Sequence, residues 1–275
     1  MPWIQSKLSI FHKFCLRVLK QGPIPEHMAI IMDGNRRFAK NKNIETIQAH
    51  SLGFSKLIEC IEWFRELGIR ELTVYAFSTE NLKRTKKEVE DLMQLAEETF
   101  SDVVKEESGF RREGIRLRII GDVTNMPEHV KAPSHHQIID SYLIKGALRK
   151  AMDRACEVTK DNNEFIFNVA FFYVARDEIA ASVKSVVEGV QEGCFKCEDI
   201  SENLISKSLY SQFDKNPDMM IRTSGEVRLS DFLLWQISES YLYFTDVLWP
   251  DFSLWHLFTI IFSYQRSCGF MNLQK

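Results

Sequence analysis

Two hydrophobic periods alternate along the chain. Short solid apolar runs bounded by turn residues read as buried strands, and longer stretches with apolar residues every three or four positions read as helices. Met28-Ala29-Ile30-Ile31-Met32 is a run of the first kind, closed by Asp33-Gly34-Asn35. Residues 72–77, 115–120, 165–172, 219–221 and 241–244 form further runs. Helical spacing covers 50–67, stopped by Gly68, then 86–107, 145–160, 177–190 and 254–262. Strand and helix alternate almost throughout, which predicts a single α/β domain with a central, mostly parallel sheet flanked by helices. The stretch 125–142 breaks the alternation: Pro127 and Pro133 interrupt it, His135 and His136 lie in its middle, and it reads as a loop.

The N-terminus carries a different pattern. Trp3, Ile4, Leu8, Phe11, Phe14, Cys15, Val18 and Leu19 recur at helical spacing, with Lys7, Lys13, Arg17 and Lys20 between them. This predicts a basic amphipathic helix over 1–21, ended by Gly22-Pro23-Ile24-Pro25. The same stripe would serve for packing on the domain or for lying on a membrane surface. The pattern has neither the continuous apolar stretch nor the small-residue cleavage site of a signal peptide. The expected organisation is this helix, an α/β domain over 22–265 and a tail over 266–275.

Composition changes the picture only by exclusion. At 275 residues with 45% apolar and 27% charged positions, the chain is ordinary globular material, not a disordered, collagenous or coiled-coil sequence. No run of about 18 apolar residues would span a bilayer. A net charge of −3 supplies no global field for nucleic acid, so no nucleic-acid partner is expected. Six scattered cysteines point to a reducing compartment. Cys194 and Cys197 form one C-x-x-C without a second pair for a zinc site.

Ligands of open α/β sheets bind beyond the carboxyl ends of the strands. Asp33-Gly34-Asn35-Arg36-Arg37 follows the first strand, and Ser78-Thr79-Glu80-Asn81-Leu82-Lys83-Arg84 the second. Arg222-Thr223-Ser224-Gly225-Glu226-Val227-Arg228-Leu229-Ser230 follows the strand at Met220. Guanidinium groups hold phosphates bidentately, and glycines let the backbone approach an anion. Asp33 repels an anion unless it holds Mg²⁺ that bridges to phosphate oxygens. No P-loop, dinucleotide fingerprint or nucleophile elbow is present.

At these residues the sequence resembles the cis-prenyltransferases, the undecaprenyl and dehydrodolichyl diphosphate synthases. The likeness rests on His27 through Ala39, on Tyr75-Ala76-Phe77-Ser78-Thr79-Glu80-Asn81, on Ile221-Arg222-Thr223-Ser224-Gly225-Glu226, and on Leu233 to Gln236 and Leu248-Trp249-Pro250. It runs from about Gly22 to Phe262, and the dolichol-making branch is the nearer match. The resemblance implies a prenyl transferase that adds isopentenyl diphosphate units to farnesyl diphosphate with new cis double bonds, yielding dehydrodolichyl diphosphate for dolichol synthesis and protein glycosylation. It implies Asp33 as the Mg²⁺ ligand and, with Asn81, as catalytic. Gly34, Asn35, Arg36, Arg37, His50 and Arg84 would serve the allylic substrate side, Arg222, Arg228 and Ser230 would bind isopentenyl diphosphate, and Ser78 would be a further substrate-binding residue. The growing apolar chain would need a tunnel, for which Leu57, Ile61, Leu92, Leu95 and Phe100 are candidates, with simple core packing equally open. The implied location is the cytosolic face of the endoplasmic reticulum membrane, held peripherally.

The sequence also departs from the family. Thr46 stands where an arginine is usual, and Tyr241 where bacterial members carry a glutamate, with Glu239 two residues early. The stretch 132–144 is longer than the family norm. Self-sufficient members end in R-x-G, whereas this chain has Arg266-Ser267-Cys268-Gly269. That difference implies a Nogo-B-receptor-like partner subunit. The alternative reading is a catalytically weak structural subunit of such a heteromer; retention of the Asp33-Gly34-Asn35 and arginine motifs argues against it.

Overall fold

The computed structural model describes residues 8–121 and 146–271. The expected loop around His135 and His136, and the 132–144 stretch, lie outside the described residues. Six strands form one sheet: β1 (His27–Ile31), β2 (Glu71–Phe77), β3 (Ile115–Ile120), β4 (Phe165–Phe171), β5 (Met219–Arg222) and β6 (Tyr241–Phe244). Their order is β3-β4-β2-β1-β5-β6, and every pairing is parallel. β1 is buried along its whole length, which is why it reads as a solid apolar run and not as an alternation.

The pleat divides each strand between two cores. Met28 and Ile30 of β1, Leu72 and Val74 of β2, Phe167 and Val169 of β4 and Ile221 of β5 enter the larger one. There they meet α3 (Thr46–Leu67), α4 (Lys86–Val104), the short α5 (Gly109–Arg112) and α6 (Ala147–Thr159). Ala29, Ile31, Ala170 and Met220 point to the opposite face, where they pack with Tyr173, Phe232, Leu233 and Ile237 beside α7 (Ala175–Gln191).

Three short helices escaped the periodicity reading: α5, with four residues, is too short for a period to show. α2 (Asn35–Lys42) reads NRRFAKNK and buries only Phe38 and Ala39, too little to show a stripe. α8 (Glu202–Ser208) buries nothing, and its Ser201 cap accepts the Leu204 N–H. The last helix, α9 (Leu254–Met271), runs about two turns further than its spacing predicts, so Arg266 to Gly269 lie in a helix. The N-terminal helix α1 (Ile10–Leu19) starts at a Ser9 cap and buries Leu16 against the domain. Gln265 of α9 donates to the Leu19 carbonyl at its end, 2.6 Å away. Ile10, Phe11, Phe14 and Val18 stay exposed, so α1 is docked along one edge and apolar toward solvent along another.

Candidate active site

The carboxyl ends of β1, β2 and β5 open into one cavity of about 610 Å³, within the usual range for small-molecule sites. All twelve residues singled out from the sequence line it: Asp33, Gly34, Asn35, Arg36, Arg37, His50, Ser78, Asn81, Arg84, Arg222, Arg228 and Ser230. They occupy its mouth. Its depth is apolar, with Leu57, Leu92, Leu95, Phe100, Val103, Phe110 and Phe167 among its walls. Four of the five tunnel candidates are therefore lining residues. Ile61 is not: it lies one turn beyond Leu57 on α3 and is fully buried in the core, so it packs the fold instead.

Asp33 sits at the end of the central strand, where a tight turn places Gly34 at φ 108°. A β-carbon on Gly34 would lie 3.0–3.1 Å from Leu248 and Ser224, so both the backbone angle and the space exclude a side chain. Thr223 stitches this turn to β5. Its hydroxyl accepts the Asp33 N–H at 2.9 Å and donates to the Asp33 carbonyl at 2.7 Å. The carboxylate accepts the Gly34 N–H at 2.7 Å and an N–H of Arg222 at 2.8 Å. Burial alone would raise the Asp33 pKa. The hydrogen bond and charge of Arg222, the Gly34 N–H and the charge of Arg37 outweigh it and hold the carboxyl below the usual range.

Arg222 is only 3% exposed. Besides Asp33 it donates to Ser230 Oγ at 2.8 Å and to the Arg228 carbonyl, while its Nε is buried with no partner. Asp33 therefore has a structural role that a lone strand-end ligand would lack: it neutralises a buried guanidinium. Arg37 donates to the Ser224 carbonyl and hydroxyl at 2.7 and 2.6 Å. Glu226, which sequence reasoning did not single out, faces both Arg37 and Arg228. Its place in the Ile221–Glu226 stretch, between Arg222 and Arg228, was the signal that could have marked it.

On the other side of the mouth, Ser78 and Asn81 form a capping box, with the Ser78 N–H donating to Asn81 Oδ1 at 2.9 Å. Arg84 is anchored by Glu88 at 3.0 Å. His50 Nε2 is buried without a partner; burial, then the charges of Arg84 and Arg36, push its pKa down to about 4, so it is neutral near pH 7. Gly53, one turn on, lets Asn35 pack against α3: a β-carbon there would lie 2.5 Å from Asn35 Oδ1. The Gly53 carbonyl also accepts Trp249 Nε1–H at 2.8 Å.

Thr46, Tyr241 and Glu239 fall outside the main cavity. Thr46 borders a separate hollow of about 140 Å³ beside His50, Glu88 and Asp91. The Tyr241 hydroxyl bonds Ser263 Oγ at 2.8 Å, and Glu239 is exposed. Cys194 and Cys197 are exposed free thiols.

Among the described residues no cluster of three or more His, Cys, Asp or Glu forms a metal cage. The partly exposed Asp33 carboxylate nonetheless suits Mg²⁺, which takes one or two protein carboxylates and fills its shell with phosphate oxygens and water. The arrangement as a whole is an arginine-rich mouth, with Asp33, Glu80 and Glu226 among its lining residues, above an apolar hollow.

The described geometry agrees with what the chain is similar to. A family model described as "Putative undecaprenyl diphosphate synthase" matches residues 31–141 and 135–268. The dehydrodolichyl diphosphate synthase complex subunit of Homo sapiens is 44% identical over 97% of this chain and 75% of its own length. The tritrans,polycis-undecaprenyl-diphosphate synthase (geranylgeranyl-diphosphate specific) of Thermococcus kodakarensis is 43% identical over 93% of this chain and 90% of its own. Among solved structures, lavandulyl diphosphate synthase from Lavandula x intermedia, in complex with dimethylallyl diphosphate, superposes with a TM-score of 0.75 and 31% identity. That match covers 88% of this chain and 95% of the other. A family match across most of the chain, relatives above 40% identity over nearly all of it, and a solved relative that superposes over 88% of it lead to one conclusion: the chain belongs to the cis-prenyltransferases, enzymes that transfer prenyl groups.

Proposed function

We propose that the enzyme elongates farnesyl diphosphate with isopentenyl diphosphate units to a long cis-polyprenyl diphosphate of the dehydrodolichyl kind. One observation carries this reading: arginines and Asp33 ring the mouth of a cavity whose depth is hydrocarbon, which fits an amphiphile with a diphosphate head and an isoprenoid tail. In this reading Gly34, Asn35, Arg36, Arg37 and Arg84 hold the allylic diphosphate, and His50, being neutral, contacts it as a hydrogen-bonding group instead of a charge. Arg228 and Ser230 hold isopentenyl diphosphate, with Arg222 buried beneath them. Breaking the allylic C–O bond leaves charge on the departing diphosphate, and fixed guanidinium groups are aimed at that charge before it develops. Asp33 would hold Mg²⁺, which when bound neutralises diphosphate charge. Ser78 and Asn81 orient the reacting ends. The apolar walls exclude water from the cation-like centre and accept the growing chain.

The exposed Ile10, Phe11, Phe14 and Val18, flanked by Lys13 and Arg17, support peripheral contact with a membrane. Trp255 and Phe262 of α9 add to that surface, with the Phe11 and Trp255 rings 6.0 Å apart. No helix among the described residues is long and apolar enough to cross a membrane. We place this contact at the cytosolic face of the endoplasmic reticulum, where the product would feed dolichol and protein glycosylation. Because Arg266 to Gly269 lie within α9 and lack the R-x-G spacing, a partner subunit of the Nogo-B-receptor kind supplies that motif in this proposal. The human relative's name as a complex subunit supports it. A purely structural subunit is disfavoured, since the chemistry-bearing side chains converge on one cavity.

The test is incubation with labelled isopentenyl diphosphate, farnesyl diphosphate and Mg²⁺, with and without the partner, followed by product sizing. Long cis products are expected. No incorporation under either condition, or products with trans bonds only, would sink the proposal.

A further inference from the structure

The loop after β5 is held in conformations that its residues avoid. Ser224, Ser230, Asp231 and Leu233 all have positive φ, at 79°, 51°, 60° and 48°, and none is a glycine. Left-handed backbone of this kind costs free energy at each residue and persists only where surrounding contacts over-determine it. Those contacts come from outside the loop. The Tyr75 hydroxyl, at the end of β2, is shared between the carbonyls of Tyr173 (3.1 Å) and Ser230 (3.2 Å). Its ring stacks on Phe232, with centroids 4.6 Å apart and planes 17° apart. Asp231 is tied to the start of α7: its carboxylate accepts the Arg176 N–H at 3.1 Å and Arg176 Nε–H at 2.6 Å, and its carbonyl accepts the Ala175 N–H at 2.9 Å. The end of β2 and the start of α7 therefore grip two adjacent strained residues.

The strained segment delivers one product. Ser230 Oγ and the Arg228 carbonyl both accept from Arg222, whose remaining arm reaches Asp33. We infer that Tyr75 and Asp231 are positioning residues for the isopentenyl diphosphate site: they hold the 228–231 backbone so that Ser230, Arg228 and Arg222 keep one anion-binding geometry. The inference rests on the assignment of that substrate to Arg228 and Ser230 made above. Neither side chain needs to touch substrate. The allylic side of the mouth rests mainly on α2, α3 and the turn after β2; the Tyr75 hydroxyl also faces Ser78 there, whereas Asp231 is tied to α7.

Steady-state kinetics on the full chain, with its partner where activity requires one, decide the matter. Tyr75→Phe keeps the stacked ring and removes only the hydroxyl. The expected result is a rise of about fivefold to tenfold in KM for isopentenyl diphosphate, with kcat and the KM for farnesyl diphosphate within twofold of the parent. Asp231→Ala should move the same constant further, and Asp231→Asn, which keeps an acceptor for the helix start, should restore most of the loss. Calorimetric titration with isopentenyl diphosphate gives the affinity ratio without turnover, so a poorly active variant still reports. No change in that affinity for Tyr75→Phe, or equal losses for both substrates, overturns the inference. Arg228→Ala separates the two levels. If it weakens isopentenyl diphosphate while Tyr75→Phe does not, the tether alone is wrong; if it leaves that substrate unaffected, the site assignment fails and the inference with it.

Discussion

The two faces of the sheet near the cavity are built by different means. On the α3 and α4 side, the hollow is lined by Leu, Val and Phe in regular helices and strands, and any side chain of suitable volume can contribute. On the α7 side, the residues from 223 to 233 sit in irregular backbone with four non-glycine positive-φ positions, joined to Arg222 and α7 by a connected set of charged hydrogen bonds. Hydrocarbon recognition is non-directional, so it tolerates generic packing. Diphosphate recognition, as proposed for this loop, needs donors at fixed angles, and backbone strain is the means of fixing them.

The largest effect should come from the carboxylate at the seam between these regions. Asp33→Asn preserves shape and an acceptor toward Arg222 but removes the charge, and kcat should fall about a hundredfold to a thousandfold with the circular dichroism spectrum unchanged. Asp33→Ala should in addition lower the melting temperature, because it leaves a buried guanidinium uncompensated. Near-normal turnover of the asparagine variant would erase the contrast between the regions.

A smaller effect is expected at the allylic wall. Gly53→Ala gains at most about 1 kcal/mol of helix propensity. It also drives a methyl to 2.5 Å from Asn35 Oδ1 and 3.0 Å from the Trp249 ring, and overpacking of this kind costs about 1–3 kcal/mol. The steric term wins, so thermal denaturation should show net destabilisation and the KM for farnesyl diphosphate should rise. Unchanged stability and kinetics would mean that Asn35 needs no fixed position.

His50 tests the same wall by pH. Its folded pKa of about 4 lies below the ordinary 6.5, so the unfolded chain takes up this proton first. His50 costs no stability above about pH 6.5 and destabilises the fold progressively as pH falls toward 4. Imidazole NMR shifts of the substrate-free protein should stay flat from pH 8 to 6; a midpoint near 6.5 would contradict the burial described. The smallest effect belongs to the hydrocarbon side. Leu95→Met conserves volume, and kcat and product length should change by less than about twofold. A large effect there would show that the tunnel wall is as exacting as the diphosphate loop.

How much of this was legible in the sequence follows from the same contrast. The strands were readable because burial on both faces makes them solid apolar runs. That Asp33 and the arginines converge on one cavity was readable because turn residues and guanidinium groups cluster at strand ends. Ile61 was misplaced because periodicity gives the face of a helix but not the depth at which each residue meets a cavity. The left-handed run at Ser230, Asp231 and Leu233 left no trace, since none of these residues advertises positive φ as glycine does. Tyr75 stood inside a motif, but its work is done through the carbonyl of a residue 155 positions away, which no local pattern encodes.

The ion pair between Asp33 and Arg222 has a kinetic consequence. It joins residues 189 positions apart, through β1 and β5, which are neighbours in the sheet but separated by most of the chain. β1 and β2 pair across a far shorter interval, and α3 can form between them early. Closing the longer loop costs more entropy, and non-local parallel pairing is slow. During refolding, secondary structure should therefore return before the site does, and regain of diphosphate binding marks the docking of β5 onto an already ordered half-sheet.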